Sequence, residues 1–500
     1  MNNPHNLDQP ADWAGIWWLS DNPDEKVPGV LHYDGKGALA LSLIGKFENP
    51  VIKEEPFLGG TKIKLVDGET RTWNVVHGVA ENQEITLLGC DYKNTKHTLI
   101  APVRSPDKQT IVASIALIGI HIENENTSVF SSVEVSFEDL GVWAAVSGIE
   151  RGFGFSDSEE LAGRGCIQVT PCSEQSVTVE NKEICLIPRN TLPYLEDQKG
   201  GTIARISESV RIQIKSKTPL SLKDALEEVG IVQNLISLAM HRAVGTIWIQ
   251  LEIEGTEPKL PDDRKNPRRR AHMLYAPPAL GVANAKAAEN HRALFTCGTI
   301  PFSEVVPRWY EVHSQMQTAI NMIMSLRYAP TQYIESNLLT SVGAAEVIHR
   351  RLKIGTRPFP TDTFTDMRSA MLAQVPEEHR GRFRSAIRND QTLRDRLHDL
   401  VNHLESTIIS RLMPDAEEWA KRAVRARNNL AHEGKTNHSD EELITIVDVT
   451  TIVVIFIVLQ KLGISVEQQL NIFDKNPQIK GVARRAHQFL AAPTEGSVNG

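Results

Sequence analysis

Apolar residues alternate with polar or small residues in the first third of the chain. Residues 39–43 read Leu-Ala-Leu-Ser-Leu, and residues 133–137 read Val-Glu-Val-Ser-Phe. A period of two turns one face of a strand inward. Turn dipeptides such as Pro28-Gly29 separate these runs. Residues 1–150 are therefore predicted to form a β-rich, sandwich-like domain or a single curled antiparallel sheet.

The middle of the chain mixes two periods. Residues 203–215 and 246–254 have the composition of strands, whereas residues 222–239 repeat their apolar positions at helical spacing. The simplest arrangement is a strand, a helix and a second strand in one layer. We interpret residues 151–304 as a mixed α/β continuation of the N-terminal region.

From about residue 305 the apolar spacing is that of helices, and it predicts one continuous helix across residues 393–412. Asp415 stands three residues before Glu418, which is a capping-box pattern that predicts the start of another helix. Gly434 is placed to end that helix. Helices with short connections are typical of a bundle, predicted here over residues 305–490. The predicted fold class is α+β, with an all-α C-terminal bundle.

The most apolar run covers residues 444–459 and contains Asp448 and three threonines. This run is short for a membrane span, so it predicts a helix buried in the bundle core. The N-terminal residues lack the charged and then apolar pattern of a signal peptide. We therefore expect a cytoplasmic protein that has no membrane partner.

Charge is distributed unevenly along the 500 residues, a length that predicts two or three domains. The net charge of −8 argues against a generally basic protein that coats nucleic acid. Residues 1–150 carry 11 Lys+Arg against 21 Asp+Glu, whereas residues 341–435 carry 17 against 13. A polyanion would bind more plausibly to the C-terminal part.

The cysteine pattern gives no sign of a disulfide framework or of a zinc site. The chain has five cysteines, an odd and small number that suits free thiols in a reducing cytoplasm. Cys166, Cys172 and Cys185 are the nearest approach to a ligand set, but no C-x2-C pair occurs. We expect no metal and no cofactor.

Arg427 and His432, separated by four residues, close the helix predicted after Asp415. An arginine and an imidazole can cleave RNA without a metal, because one stabilises the charged phosphorane while the other moves the proton. About one such spacing is expected by chance in this composition. A second one does occur, from Arg308 to His313. A basic helix end favoured by the helix dipole is the alternative interpretation.

The two side chains would not share a face of an ideal helix, because positions five apart differ by about 140° in azimuth. Two arrangements could reconcile them. The helix could loosen at Asn428 and Asn429, which are poor helix formers. Alternatively, a second copy of the chain could supply the complementary group across a two-fold axis.

An Arg-Asn-x-x-x-His sequence at a helix end, followed by a strongly apolar helix, resembles the HEPN domain. The N-terminal half is similar to the large N-terminal domain of ApeA-type HEPN proteins of bacterial anti-phage defence. This second resemblance is carried by ordered Gly-rich and apolar runs, at residues 15–19, 27–31, 37–45 and 87–90. Together the resemblance covers roughly residues 13–485.

The resemblance implies a metal-independent endoribonuclease that acts as a homodimer and leaves 2′,3′-cyclic phosphate ends. It implies that His432 is the general acid and base, that Arg427 stabilises the phosphorane, and that Asn428 orients Arg427 or the phosphate. Glu346 resembles a glutamate that is often found in this bundle; an exposed helix carboxylate is the other interpretation. By family analogy, RNA (tRNA among its classes) is the substrate, and a phage protein is the trigger.

Two other functions remain compatible with the sequence. One is a catalytically inactive HEPN module that only binds RNA or dimerises. The other is a β-sandwich sensor of a ligand, with a helical tail for oligomerisation. The arginines from Arg380 to Arg396 predict either an RNA-facing surface or an ordinary solvated helix face.

Overall fold

The computed structural model describes residues 4–47, 51–57, 60–66, 72–96, 106–154, 164–255, 269–329 and 333–491. Contacts divide the chain into two compact units. Unit 1 comprises residues 1–237 and 244–288, and unit 2 comprises residues 238–243 and 289–500. The predicted α+β class is confirmed, because strands dominate unit 1 and helices dominate unit 2. The finer division at residues 150 and 304 stays a prediction.

The strands of unit 1 are β1 (Ala11–Leu19), β2 (Asn22–Tyr33), β3 (Leu39–Ile44), β4 (Val51–Phe57), β5 (Gly60–Val66), β6 (Thr72–Ala80), β7 (Gln83–Lys96), β8 (Lys108–Ile118), β9 (Phe130–Phe137), β10 (Ile149–Gly154), β11 (Arg164–Val169), β12 (Gln175–Val179), β13 (Lys182–Asn190), β14 (Tyr194–Gln198), β15 (Gly201–Arg205), β16 (Glu208–Leu220), β17 (Thr246–Ile253) and β18 (Arg270–Tyr275). Two helices accompany them, α1 (Leu140–Ala144) and α2 (Leu222–Ala239).

Twelve of these strands form a single sheet in the order β12-β13-β16-β9-β17-β18-β8-β3-β2-β1-β6-β7. Because β7 also pairs with β8, the last six strands close into a barrel. Closure removes the free edges that an open sheet would expose. Of the two arrangements predicted for the N-terminal region, the curled antiparallel sheet is the one observed.

The barrel core follows the predicted alternation. Leu39, Leu41 and Leu43 of β3 are buried, and each such side chain stabilises the fold by about 1.5–3 kcal/mol. Trp17 of β1 is also fully buried, and its ring N–H donates a 3.1 Å hydrogen bond to a backbone carbonyl. Its cross-strand partner Gly78 has to be glycine, because a Cβ there would lie 2.2 Å from the indole ring.

The predicted strand-helix-strand layer is present in the middle of the chain. Strands β16 and β17 both pair antiparallel with β9, so they run parallel to each other on its two sides. Helix α2 connects them, as a parallel crossover requires. The apolar side chains of this layer, such as Val135, Ile212 and Ile249, are buried.

Unit 2 contains the helices α3 (Phe302–Tyr328), α4 (Ile334–Leu352), α5 (Thr361–Ala373), α6 (Glu377–Ala386), α7 (Leu393–His403), α8 (Ser406–Leu412), α9 (Ala416–Glu433), α10 (Asp440–Lys461), α11 (Val466–Lys475) and α12 (Pro477–Phe489). Helix α4 packs against α3, α7, α9 and α10. The single helix predicted across residues 393–412 is wrong. Leu404 and Glu405 adopt extended backbone conformations there and separate α7 from α8.

Helix α10 is long and apolar enough to cross a membrane, but 78% of its most apolar stretch is buried inside the protein. It is the core helix that the sequence predicts. Its one interior charge, Asp448, is bonded to Arg485 of α12 and also interacts with Arg327 of α3. Burial raises the pKa of Asp448, and burial lowers the pKa of Arg327 to about 10. Both shifts reflect the cost of placing charge in this core.

Candidate functional site

Helix α9 carries the candidate residues and is well delimited. One of the two hydrogen bonds of the predicted capping box is present at its N-terminus. The Asp415 carboxylate accepts a 3.0 Å hydrogen bond from the Glu418 N–H. The Glu418 side chain instead pairs with Lys421 and Arg422. Gly434 ends the helix in the left-handed conformation (φ 70°), as predicted.

Arg422 fixes the middle of α9 to the rest of unit 2. Its guanidinium donates hydrogen bonds of 2.7 Å to the Glu442 carboxylate at the start of α10 and to the Phe489 carbonyl. Glu442 belongs to a complete capping box with Ser439. Beyond Arg422, burial of α9 decreases until residues 431–434 are all exposed. The last turns of the helix therefore extend towards solvent.

These exposed turns hold the candidate side chains. Arg427 is half-buried, and its Nη1 donates a 3.1 Å hydrogen bond to Oδ1 of Asn428. His432 is exposed, and it makes no hydrogen bond or ion pair with any residue that the structure describes. An anchored guanidinium and an accessible imidazole therefore lie close in sequence at one helix end.

The predicted loosening of α9 at Asn428 and Asn429 is wrong, because the helix is continuous from Ala416 to Glu433. The weak helix propensity of two asparagines is outweighed by the packed positions before them and by the Gly434 cap after them. Arg427 and His432 therefore retain the azimuthal separation of about 140° of an ideal helix. Within one chain they point in different directions.

The second spacing of the same kind, Arg308 to His313 on α3, is used differently. Arg308 donates to the Leu462 carbonyl at 3.0 Å and to the Glu304 carboxylate at 3.1 Å. His313 is buried, and its ring centroid lies 5.7 Å from that of Trp309. His313 is therefore part of the packed core, and the Arg308 guanidinium, although 42% exposed, is engaged by two acceptors.

Glu346 lies on α4, which packs against α9. The exposed carboxylate considered from the sequence is not what is found, because only 23% of its side chain is exposed. Its Oε1 accepts a 2.7 Å hydrogen bond from Arg350 and a second from Arg396 of α7. A catalytic role for Glu346 stays a prediction.

The arginines from Arg380 to Arg396 divide into three groups. Arg394 and Arg396 are paired with Glu417 and Glu346. Arg380 is half-buried and donates a 2.9 Å hydrogen bond to the Val375 carbonyl. Arg382, Arg384 and Arg388 are exposed, and none of them has a carboxylate partner within the described part of the chain. The predicted RNA-facing surface is thus reduced to α6 and Arg388, and its role stays a prediction.

His349, which no motif in the sequence marks, lies in a polar cluster. Its Nε2 donates a 2.9 Å hydrogen bond to the Asp399 carboxylate, whose same oxygen accepts from Gln391 at 2.7 Å. The signal in the sequence is an equal spacing on two helices. Glu346 and His349 are three residues apart, as are their respective partners Arg396 and Asp399.

Across the described ranges, no group of three or more His, Cys, Asp or Glu side chains is placed to hold a metal ion. Cys185 is buried, and Cys166 is exposed on β11. All five cysteines are free thiols. The expectation of a site without metal or cofactor stays a prediction.

Comparison with known families finds two matches. The model of ApeA N-terminal domain 1 matches residues 12–309, and the model of the Apea-like HEPN domain matches residues 339–468. The second match contains Glu346, Arg427, Asn428 and His432. No curated protein and no solved structure matches the chain.

Proposed function

Because the chain belongs to the ApeA-type family of HEPN proteins, which is a family of anti-phage nucleases, we propose that it is a metal-independent endoribonuclease. The C-terminal HEPN domain would cleave RNA during phage infection, and the N-terminal domain would control it. The observation that carries the proposal is the contrast between two identical spacings. Arg308 is bonded to a carbonyl and a carboxylate and His313 is buried, whereas His432 is exposed and Arg427 is bonded to its neighbour Asn428.

The proposed reaction uses the 2′-hydroxyl of RNA as its nucleophile. His432 would take the proton of that hydroxyl and return a proton to the 5′-oxygen that leaves. The guanidinium of Arg427 would stabilise the charge on the pentacoordinate phosphorus. Asn428 holds Arg427 through its 3.1 Å hydrogen bond. The products would be a 2′,3′-cyclic phosphate and a 5′-hydroxyl, and no step needs a metal ion.

The continuous helix favours a site shared between two copies of the chain. Arg427 and His432 leave the helix in directions about 140° apart, which disfavours contact of both with one phosphate from a single helix. A two-fold axis near the exposed end of α9 would place Arg427 of one protomer beside His432 of its partner. The homodimer is therefore part of the proposed mechanism.

The test compares variants of the full chain for RNA cleavage in the presence of EDTA. His432→Ala and Arg427→Ala should each abolish cleavage while the protein remains folded. Arg425→Ala removes an exposed cation from the same helix and serves as the matched control, so it should cleave like the wild type. Cleavage by His432→Ala at the wild-type rate would refute the assignment.

The substrate class and the regulation are proposed on weaker support. Transfer RNA is the target class implied by the family analogy, and sequencing of the cleaved 5′-hydroxyl ends after induction would test it. Relief of inhibition by a phage protein would be tested by comparing cleavage in infected and uninfected cells. A protein that binds RNA and dimerises without cleaving it would instead be the inactive HEPN module.

A further inference from the structure

A cavity of about 270 Å³ in unit 2 is not used by the proposed reaction. Its walls come from the C-terminal end of α4, from the loop 353–357 that follows, and from residues 389–391 before α7. Phe359 and Asn389, near the two ends of the segment that joins these loops, are in contact. There the Asn389 side chain bonds both the N–H and the carbonyl of Phe359, at 3.1 and 2.8 Å.

The lining of this cavity is strongly cationic. Arg350, Lys353, Arg357 and Arg396 contribute to it, and Asp390 is the carboxylate among its lining residues. Arg350 and Arg396 share the single carboxylate of Glu346, which lies behind the wall. With the Asp399 carboxylate, which is bonded to the lining residues His349 and Gln391, four positive charges face three negative ones, an excess of one. Arg357 donates to the Thr361 hydroxyl, and Lys353 has no carboxylate partner in the described ranges.

The opposite wall is rigid. Asp399 accepts hydrogen bonds from both His349 and Gln391 at one oxygen, which ties α4 to the entrance of α7. Gly355 lies against this cluster with φ +86°, and a Cβ on it would fall 2.2 Å from the Asp399 carboxylate. The loop can approach this closely only because the residue is glycine. This wall of the cavity is thus formed by bonded groups, while the side chains of Arg350, Lys353 and Arg357 are exposed to solvent.

We propose that this cavity binds the phosphate monoester of a nucleotide. A phosphate monoester carries up to two negative charges, which the positive excess of the lining attracts. Guanidinium groups bind its oxygens through paired N–H donors, and a lysine adds a point charge. The volume is slightly smaller than that of typical small-molecule sites, so it suits a terminal phosphate with its sugar. The binding does not depend on the ribonuclease assignment.

The same chemical group could come from a free mononucleotide or from the 5′ end of an RNA chain, and calorimetric titration distinguishes them. One arm compares 5′-AMP with adenosine. The other compares a short 2′-O-methyl RNA that carries a 5′-phosphate with the same RNA ending in a 5′-hydroxyl. At least one phosphorylated ligand should bind about tenfold or more tightly than its counterpart, which corresponds to one charge-assisted contact.

The double variant Lys353→Gln with Arg357→Gln should weaken that binding by about tenfold or more. Its matched control, Lys475→Gln with Lys480→Gln, removes two exposed cations elsewhere in unit 2 and should bind like the wild type. Equal weakening in both would show general surface attraction and refute the site. Indifference of both arms to the phosphate would also refute it. His432→Ala protein should still bind, which separates this site from the nuclease.

Discussion

The chain contains the same spacing of arginine and histidine twice, and the two pairs differ in the bonding partners and the burial of their side chains. On α3, Arg308 binds a carbonyl and a carboxylate, and His313 is buried beside Trp309. On α9, Arg427 is bonded to Asn428 and to no other residue in the described ranges, and His432 is exposed. A sequence spacing therefore shows which chemistry is possible, and the partners of each side chain show whether it is available.

The contrast between the two pairs is tested most strongly by replacing His432 of α9. His432→Ala should lower the rate of RNA cleavage by about 10²- to 10⁴-fold, because a general acid and base contributes that much. The melting temperature should not change, because the side chain is exposed and has no partner among the described residues. Single-turnover cleavage and thermal unfolding measure the two effects. A large loss of stability would mean that His432, too, is structural.

A mixture of two inactive variants tests whether Arg427 and His432 act within one chain or across two chains. In a random mixture of His432→Ala and Arg427→Ala protomers, half of the dimers are mixed. If the two groups act across the two-fold axis, each mixed dimer has one complete site, so about a quarter of the wild-type rate should return. The measurement is cleavage after the two proteins are unfolded and refolded together. If both groups act within one chain, no activity returns.

For the pair on α3 we expect an effect on stability and none on the cleavage rate. His313→Ala should lower the free energy of unfolding by about 1–3 kcal/mol, because it empties a packed position beside Trp309. The cleavage rate per folded molecule should remain that of the wild type. Chemical denaturation together with the RNA assay tests both statements. A rate lowered as much as by His432→Ala would contradict the contrast between the two copies.

The smallest expected effect concerns the residue that holds Arg427. Asn428→Ala removes one hydrogen bond to the guanidinium, a contribution of about 1 kcal/mol, so the rate should fall about fivefold. Asn429→Ala, one position further on, is the matched control and should cleave at the wild-type rate. An unchanged rate in Asn428→Ala would show that Asn428 does not position Arg427.

Local signals in the sequence predicted local structure well. The Asp415 and Gly434 caps of α9 lie where the patterns placed them, because caps depend on residues within one turn. The break between α7 and α8 was missed, since neither Pro nor Gly marks it and the apolar spacing continues through Leu404. Closure of the barrel depends on the pairing of β7 with β8, and a period of two does not specify the partners of a strand.

The candidate site divides in the same way. The α9 motif is contiguous, so its residues could be named from the sequence alone. The partners of Glu346 and His349 come from another helix some fifty residues later, and only tertiary packing brings them together. The azimuthal separation of Arg427 and His432 follows from the sequence, and it suggests a site completed by a second copy of the chain. The continuity of α9 through Asn428 and Asn429 is seen only in the structure.

Asp448 has a consequence for how α10 finds its place. This helix is apolar on nearly every side, so burial of hydrophobic surface does not favour one rotation about its axis over another. Asp448 breaks that equivalence, because only one rotational setting brings its carboxylate to Arg485 and near Arg327. A polar residue that destabilises the core can therefore fix the rotational setting of a helix, as buried asparagines fix the register of coiled coils. We therefore expect the ion pair of Asp448 with Arg485 to select the orientation of α10 about its axis.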